Sequence, residues 1–352
     1  MSVLIYGAYG YSGQLITREA CRQGLKPVLA GRNPEKLKKL ANELDLEFHS
    51  FDLDQNNTLT EVLHDSQLVI HCAGPFSKTA RQMIDACIKT KTHYLDITGE
   101  IDVFEYAHSS EVDQAATQAG IVVCPGVGFD VIPTDCLAKT LKEALPDAEK
   151  LVLGFAGGSA VSPGTAKTTI ESLAQGLLIR KEGRIVRSKF KQRLIDFGNG
   201  EKTCMAISWG DVSTAYHSTG IPDIEVYLPA STKTLTTMNL LQRLRWLLKP
   251  TLVQKLLKKY VDEQIEGPDS NKRSLNPSTV WAEASNGRGQ TVQARVKTLN
   301  GYEVTKFGAV HVALALLNQE HSGSGSMTPS LLLGKDLISE LPGSSPITVI
   351  NH

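Results

Sequence analysis

Short apolar runs alternate with segments of helical periodicity from the start of the chain to about residue 130. The runs are residues 3–6, 27–30, 46–51, 68–72, 93–97 and 121–124, and the predicted helices are 14–23, 35–44, 79–89 and 101–119. Strands that alternate with helices of about 10–15 residues indicate a parallel, doubly wound sheet. We therefore predict an α/β fold with helices on both faces of that sheet.

The pattern changes after residue 132, where segments of β type begin to outnumber helical ones. A helix predicted at 134–144 leads into apolar or alternating segments at 151–155, 203–209, 225–228 and 290–299. We interpret residues 133–298 as a sheet-rich α/β domain inserted into the first one and covering its ligand crevice. Residues 299–352, which include a helical segment at 302–317, are expected to rejoin residues 1–132.

A glycine-rich turn follows the first predicted strand directly. It comprises Gly7, Ala8, Tyr9, Gly10, Tyr11, Ser12 and Gly13. Backbone N–H groups at a helix start bind the pyrophosphate of a dinucleotide, and glycine lets the phosphates approach closely. The spacing is GxxGxxG, which is a weaker signal than GxGxxG, so the strand before it and the helix after it carry part of the argument.

Arg32 follows the second predicted strand. The side chain at this position discriminates between NAD and NADP in such domains. An acidic residue there binds the ribose of NAD, whereas a guanidinium suits the 2′-phosphate of NADP. Asn33 is predicted both to contact the cofactor and to cap the helix that starts at Pro34. The cofactor is therefore predicted to be NADP(H). The alternative for Arg32 is an exposed charge after a strand.

Further candidate residues lie in loops at the carboxyl ends of later strands, where ligands of such sheets bind. Four of them are predicted to run beside the ribose and nicotinamide: Ala73, Gly74, Pro75 and Phe76. Another five are predicted to contact substrate: Asp96, Glu100, Phe129, Asp130 and Lys167. The alternative for the acidic residues is that they cap the next helix or bond loop amides, and the alternative for Lys167 is a solvated lysine. No catalytic acid or base is identified.

Composition narrows the class of partner. The 37 basic residues equal the 37 acidic residues, so the charge does not suggest a nucleic acid, and no apolar run reaches a membrane span. The 6 cysteines form no CxxC pair, and no histidine pair has metal-ligand spacing. We expect a cytoplasmic protein without a signal peptide, with no metal and a small-molecule substrate. Residues 239–260 form a basic amphipathic stretch that could touch a membrane surface, although packing against protein is the favoured interpretation.

Taken together, these motifs resemble those of the saccharopine dehydrogenase-like reductases, a family that includes trans-acting enoyl reductases. Residues 7–13 resemble the family's GATGYTG turn, with Tyr9 in place of threonine, and residues 30–32 resemble its AGR element. Similar blocks occur at 73–76, 94–100, 128–135 and 281–284. The resemblance implies a Rossmann domain with an inserted α/β domain, NADP(H), and a homodimer.

The resemblance also implies an oxidoreductase that transfers hydride to a polarised double bond. A trans-acting enoyl reductase is the first hypothesis for its activity. Two alternatives stay open: a saccharopine-type, imine-forming amino-acid dehydrogenase, and a catalytically inactive NADP-binding sensor or scaffold.

Overall fold

A computed structural model describes residues 2–157, 176–243, 277–321 and 323–351. The chain divides into two compact units. The first consists of residues 1–132 and 302–342, and the second of residues 133–301 and 343–352.

The first unit is built on a parallel sheet of seven strands. The strands are β1 (Val3–Tyr6), β2 (Val28–Gly31), β3 (Phe48–Ser50), β4 (Leu68–His71), β5 (His93–Asp96), β6 (Val122–Cys124) and β15 (Gly325–Ser326). The helices are α1 (Tyr11–Arg22), α2 (Pro34–Leu44), α3 (Asn56–His64), α4 (Phe76–Thr90), α5 (Ile101–Ala107), α6 (Ser110–Ala119), α10 (Gly301–Leu317), α11 (Pro329–Leu333) and α12 (Leu337–Glu340).

The strand order is β15-β6-β5-β4-β1-β2-β3, so the chain changes direction across the sheet at β1. β1 pairs with β2 on one side and with β4 on the other. Every residue of β1 and β4 is buried, as expected where helices cover both faces of a parallel sheet. The predicted fold class is confirmed, and in sheets of this kind ligands bind at a switch point such as the one where β1 and β4 end.

β15 was not among the predicted strands, and the structure differs from the predicted elements of this unit in two further places. α3 was not predicted, because only Leu59 and Leu63 of its residues are buried and its apolar pattern is correspondingly weak. The helix predicted over 101–119 is broken between α5 and α6, where the Ser109 hydroxyl accepts a hydrogen bond from the Val112 N–H and starts a new helix.

The described residues of the second unit contain a mixed sheet of nine strands. Its strands are β7 (Lys150–Gly157), β8 (Leu178–Lys181), β9 (Arg184–Arg187), β10 (Gln192–Asp196), β11 (Glu201–Ile207), β12 (Asp223–Pro229), β13 (Ser278–Ser285), β14 (Thr291–Thr298) and β16 (Thr348–Asn351), and its helices are α7 (Ile132–Ala144), α8 (Asp211–Thr219) and α9 (Thr232–Arg243). The main path is β10-β11-β12-β7-β13-β14-β16, and β8 joins it through β12.

Part of the predicted tail of the first unit was placed wrongly. Residues 343–352 belong to the second unit, because β16 pairs antiparallel with β14 and extends its sheet. Residues 299–301 also lie in the second unit. The remainder of the tail, residues 302–342, lies in the first unit.

Two sequence features fall largely outside the described residues. Lys167 lies in the undescribed segment 158–175, and most of the basic stretch 239–260 lies in the segment 244–276. Within the part of the chain that the structure describes, we find no helix long and apolar enough to cross a membrane.

Candidate site for a dinucleotide

The glycine turn packs so closely that two of its glycines admit no side chain. Gly7 has φ +83°, and a Cβ placed there would stand 2.8 Å from the backbone nitrogen of Ala73. A Cβ on Gly13 would stand 2.3 Å from the Gly7 carbonyl oxygen. The turn is therefore held against both α1 and the end of β4, which leaves a cradle of bare backbone at the switch point.

The start of α1 offers backbone donors to an anion. Its N-cap is Gly10, and no side chain caps the helix. The Gly10 N–H donates to the Gly7 carbonyl at 3.0 Å, which closes the turn in front of the helix. Tyr11 and Ser12 lie in the first turn of α1, and the Tyr11 ring meets the edge of Tyr302 with centroids 4.9 Å apart. The uncapped N–H groups and the helix dipole favour a phosphate here.

Arg32 and Asn33 lie at the end of β2, beside this turn. The Arg32 side chain is 69% exposed, and its Nη1 stands 3.9 Å from Oδ2 of Asp52, which is itself half exposed. An exposed pair at this distance holds the guanidinium weakly, so it can turn to a stronger anion. The predicted cap is confirmed, since Asn33 Oδ1 accepts a hydrogen bond from the Lys36 N–H at 2.9 Å.

The loop after β4 is held by Thr79. Its hydroxyl donates to the Ala73 carbonyl at 2.8 Å and lies 2.9 Å from Nε2 of His71. Because the Thr79 hydroxyl proton points to the Ala73 carbonyl, His71 donates from Nε2 to the Thr79 hydroxyl oxygen. The peptide bond between Gly74 and Pro75 is cis, and α4 begins at Phe76. These contacts fix the four residues predicted to lie beside the nicotinamide.

His71 serves as a packed, neutral support for this loop. It is fully buried, and its ring meets Phe76 edge-on with centroids 5.3 Å apart. Burial lowers the pKa of His71 to about 3, so the ring carries no charge at neutral pH. Sequence reasoning missed both His71 and Thr79, because their roles depend on a contact across a loop rather than on a motif.

Glu100 caps the helix that follows this loop. Its Oε1 accepts from the Phe76 N–H at 2.9 Å, and its Oε2 accepts from the Ser77 N–H at 2.7 Å. The carboxylate thereby satisfies two donors at the start of α4, where the dipole favours negative charge. Glu100 thus bonds loop amides, as one alternative had it, but the helix that it caps is α4 and not α5, which follows it. The predicted contact with substrate stays untested.

Asp96 is a fully buried link between the ends of β5 and β6. Its Oδ1 accepts from the N–H groups of Thr98 at 3.0 Å and Gly126 at 2.8 Å, and its Oδ2 accepts from the Tyr94 hydroxyl at 2.6 Å. Burial raises the pKa of Asp96 to about 6, with the hydrogen bonds acting in the opposite direction. Its position supports a structural role in aligning the two loops.

Asp130 and Phe129 lie in the loop after β6, and both are partly buried. The Phe129 N–H donates to the Thr305 hydroxyl at 3.1 Å, which joins this loop to α10. A Cβ on Gly99 would stand 2.8 Å from Oδ2 of Asp130, so glycine makes room for the carboxyl group. Burial raises the pKa of Asp130 to about 7.

The raised pKa of Asp130 predicts a particular pH dependence of stability. The folded chain holds this proton up to about pH 7, whereas an unfolded chain loses it near pH 3.9, so the stabilisation is complete below the lower value and is lost as pH rises through the upper one. Asp130→Asn should therefore lose less stability than the parent chain between about pH 5 and about pH 8. Urea midpoints across this range measure the difference, and identical pH profiles for the two proteins would contradict the assignment.

Taken as a whole, the first unit has a Rossmann-type fold, and comparison with known proteins shows what this part of the chain is similar to. Residues 3–124 match the family model described as the saccharopine dehydrogenase NADP binding domain. Over these residues the chain is similar to that family of NADP-binding domains. Among the described residues, no group of three or more side chains is arranged to hold a metal ion.

Relatives of known name match the same region. A saccharopine dehydrogenase-like oxidoreductase of Mus musculus is 29% identical over 152 residues, which are 38% of this chain and 35% of that protein. A trans-acting enoyl reductase of Mycobacterium ulcerans is 32% identical over 141 residues, which are 38% of this chain and 33% of that protein. The chain thus spans about a third of the length of these curated relatives.

A solved structure matches the fold along the whole chain. The saccharopine dehydrogenase (L-Glu forming) of Saccharomyces cerevisiae superposes with a TM-score of 0.68, covering 100% of this chain and 99% of that one, at 14% identity. At this identity the likeness establishes the fold of the chain and not its substrate.

Proposed function

We propose that this protein is an NADP(H)-dependent oxidoreductase that transfers hydride between the nicotinamide and a polarised double bond. The observation that carries the proposal is the placement of Arg32, which follows β2 directly beside the bare glycine turn and the uncapped start of α1. Bound NADPH supplies hydride, and the protein supplies position and electrostatics.

Each part of the site has one task in this proposal. The turn at Gly7–Gly13 and the start of α1 hold the pyrophosphate. Arg32 holds the 2′-phosphate through charge-assisted hydrogen bonds. The loop at 73–76, fixed by Thr79 and Glu100, keeps the nicotinamide ring in one place. Such positioning is the part of hydride transfer that a protein must provide.

An enoyl group is the substrate proposed first. Named trans-acting enoyl reductases are among the relatives of the cofactor domain. Both Glu100 carboxylate oxygens already accept hydrogen bonds from backbone N–H groups at the start of α4. This helix start is therefore occupied by a carboxylate and does not favour binding of a second one from a substrate. The imine-forming dehydrogenase and the inactive NADP-binding sensor are the alternatives.

Hydride transfer can be tested with the purified full chain and NADPH. Enoyl thioesters, aldehydes and ketones, and preformed imines are offered in turn, and NADPH oxidation is followed together with the reduced product. Reduction of an enoyl thioester supports the first proposal, and reduction of an imine alone supports the dehydrogenase alternative. Tight NADPH binding without oxidation in any of the three classes would favour the sensor.

Arg32→Ala should weaken NADPH binding by about tenfold or more, the scale of a lost hydrogen bond between charged groups. NADH, which lacks the 2′-phosphate, should bind this variant nearly as well as it binds the parent chain. Fluorescence titration of both cofactors measures the two effects side by side. An equal loss for NADPH and NADH would remove Arg32 from the 2′-phosphate site.

The predicted homodimer, small-molecule substrate and cytoplasmic location remain predictions.

A further inference from the structure

The Tyr9 ring packs against the backbone of Gly31, the residue before Arg32. A Cβ on Gly31 would stand 2.7 Å from the Tyr9 Cε1 atom, so the ring lies directly against the backbone at the end of β2. The Tyr9 carbonyl accepts a hydrogen bond from Gln14 Nε2 at 2.9 Å, which ties its backbone to α1. The Tyr9 ring therefore packs against Gly31, the residue before Arg32, on a backbone that is anchored to α1.

Lys36 approaches the same ring from α2. Its Nζ lies 5.8 Å from the centre of the Tyr9 ring, within the range of a cation–π contact. The side chain is exposed, and it forms no ion pair within the described segments. The Tyr9 ring thus lies near Lys36 and packs against Gly31, which directly precedes Arg32.

The single guanidinium of Arg32 does not neutralise the 2′-phosphate that this part of the site is proposed to bind. A phosphate monoester carries a charge of about −1.5 to −2 at neutral pH. Two cations beside a ring that carries a hydroxyl donor match that charge and provide further hydrogen bonds.

We propose that Lys36 and Tyr9 determine the preference for NADP(H) together with Arg32, with Lys36 as the second cation on the 2′-phosphate and Tyr9 as the hydroxyl donor. The inference rests on the proposed function and adds two residues to its site. The ligand group that it concerns is a ribose 2′-phosphate monoester. The proposal therefore holds whichever substrate the protein reduces.

The probe is adenosine 2′,5′-bisphosphate, and adenosine 5′-monophosphate is its matched control without the 2′-phosphate. Lys36→Gln removes the charge and keeps a polar side chain that is one atom shorter. Lys38→Gln is the matched variant, since Lys38 is an exposed lysine on the same helix. Tyr9→Phe removes only the hydroxyl. Calorimetric titration of the full chain measures all pairs.

Lys36→Gln should weaken the bisphosphate about tenfold and the monophosphate less than about twofold, whereas Lys38→Gln changes neither by more than about twofold. Tyr9→Phe should weaken the bisphosphate by about threefold to tenfold. If Lys36→Gln and Tyr9→Phe bind both probes as Lys38→Gln does, this inference is overturned while the Arg32 site stands. If Arg32→Ala also fails to change the preference between the probes, the proposed NADP site falls with it.

Discussion

Gly7→Ala should destabilise the first unit and abolish NADPH binding, although it adds one methyl group. The residue has φ +83°, which costs an L-residue about 1–2 kcal/mol. The added Cβ would also stand 2.8 Å from a backbone atom of Ala73, and overpacking of this kind costs about 1–3 kcal/mol. Separation of the turn from the end of β4 would displace the N–H groups at the start of α1, which are the groups proposed to hold the pyrophosphate.

Gly24→Ala is the matched control for this prediction. Gly24 has φ +85°, yet nothing lies within 4 Å of its Cβ position. The control should therefore lose only the backbone term, about 1–2 kcal/mol, and bind NADPH normally. Apparent Tm values and NADPH titrations separate the two variants. Equal behaviour of the pair would show that the close approach to Ala73 is not what makes glycine necessary at position 7.

Asp96→Ala should be the second severe substitution. It leaves three donors without an acceptor: the hydroxyl of Tyr94 and the N–H groups of Thr98 and Gly126. A buried donor without a partner costs about 1–3 kcal/mol, so a total near 3–5 kcal/mol is expected. The loops after β5 and β6 would lose their common anchor, and the urea midpoint should fall accordingly.

Asp96→Asn distinguishes the lost hydrogen bonds from the lost carboxylate charge. The amide oxygen can still accept from both N–H groups, and the NH₂ group can donate to Tyr94 once the hydroxyl proton rotates. A loss below about 1.5 kcal/mol is therefore expected. If Asp96→Asn were as unstable as Asp96→Ala, the negative charge rather than the acceptor geometry would be what the loops require.

The sequence predicted best where the physical cause is local. β1 was predicted with its observed ends, because a fully buried strand is an unbroken apolar run. The cap at Asn33 was also predicted, since Asn-Pro at a helix start is a short-range signal. The glycine turn belongs to the same class, because its glycine spacing, the strand before it and the helix after it all lie within one short segment.

Contacts between residues distant in sequence could not be predicted in this way. Glu100 caps a helix that begins 24 residues earlier in the chain, so no spacing rule would pair it with Phe76. Lys36 is one of several lysines on α2. Its contact with the Tyr9 ring, which forms only in the folded chain, distinguishes it from Lys38 and Lys39. β16 extends the sheet of the second unit by pairing with β14. A short apolar stretch near the end of the chain does not reveal this pairing.

The central claim is that this chain binds NADP(H) and recognises its 2′-phosphate. Calorimetric titration of the intact protein with NADPH and with NADH tests it most directly. We predict saturable binding of NADPH, with NADH weaker by about tenfold or more because it offers no 2′-phosphate to Arg32. Equal affinity for the two cofactors, or no binding of either, would contradict the account.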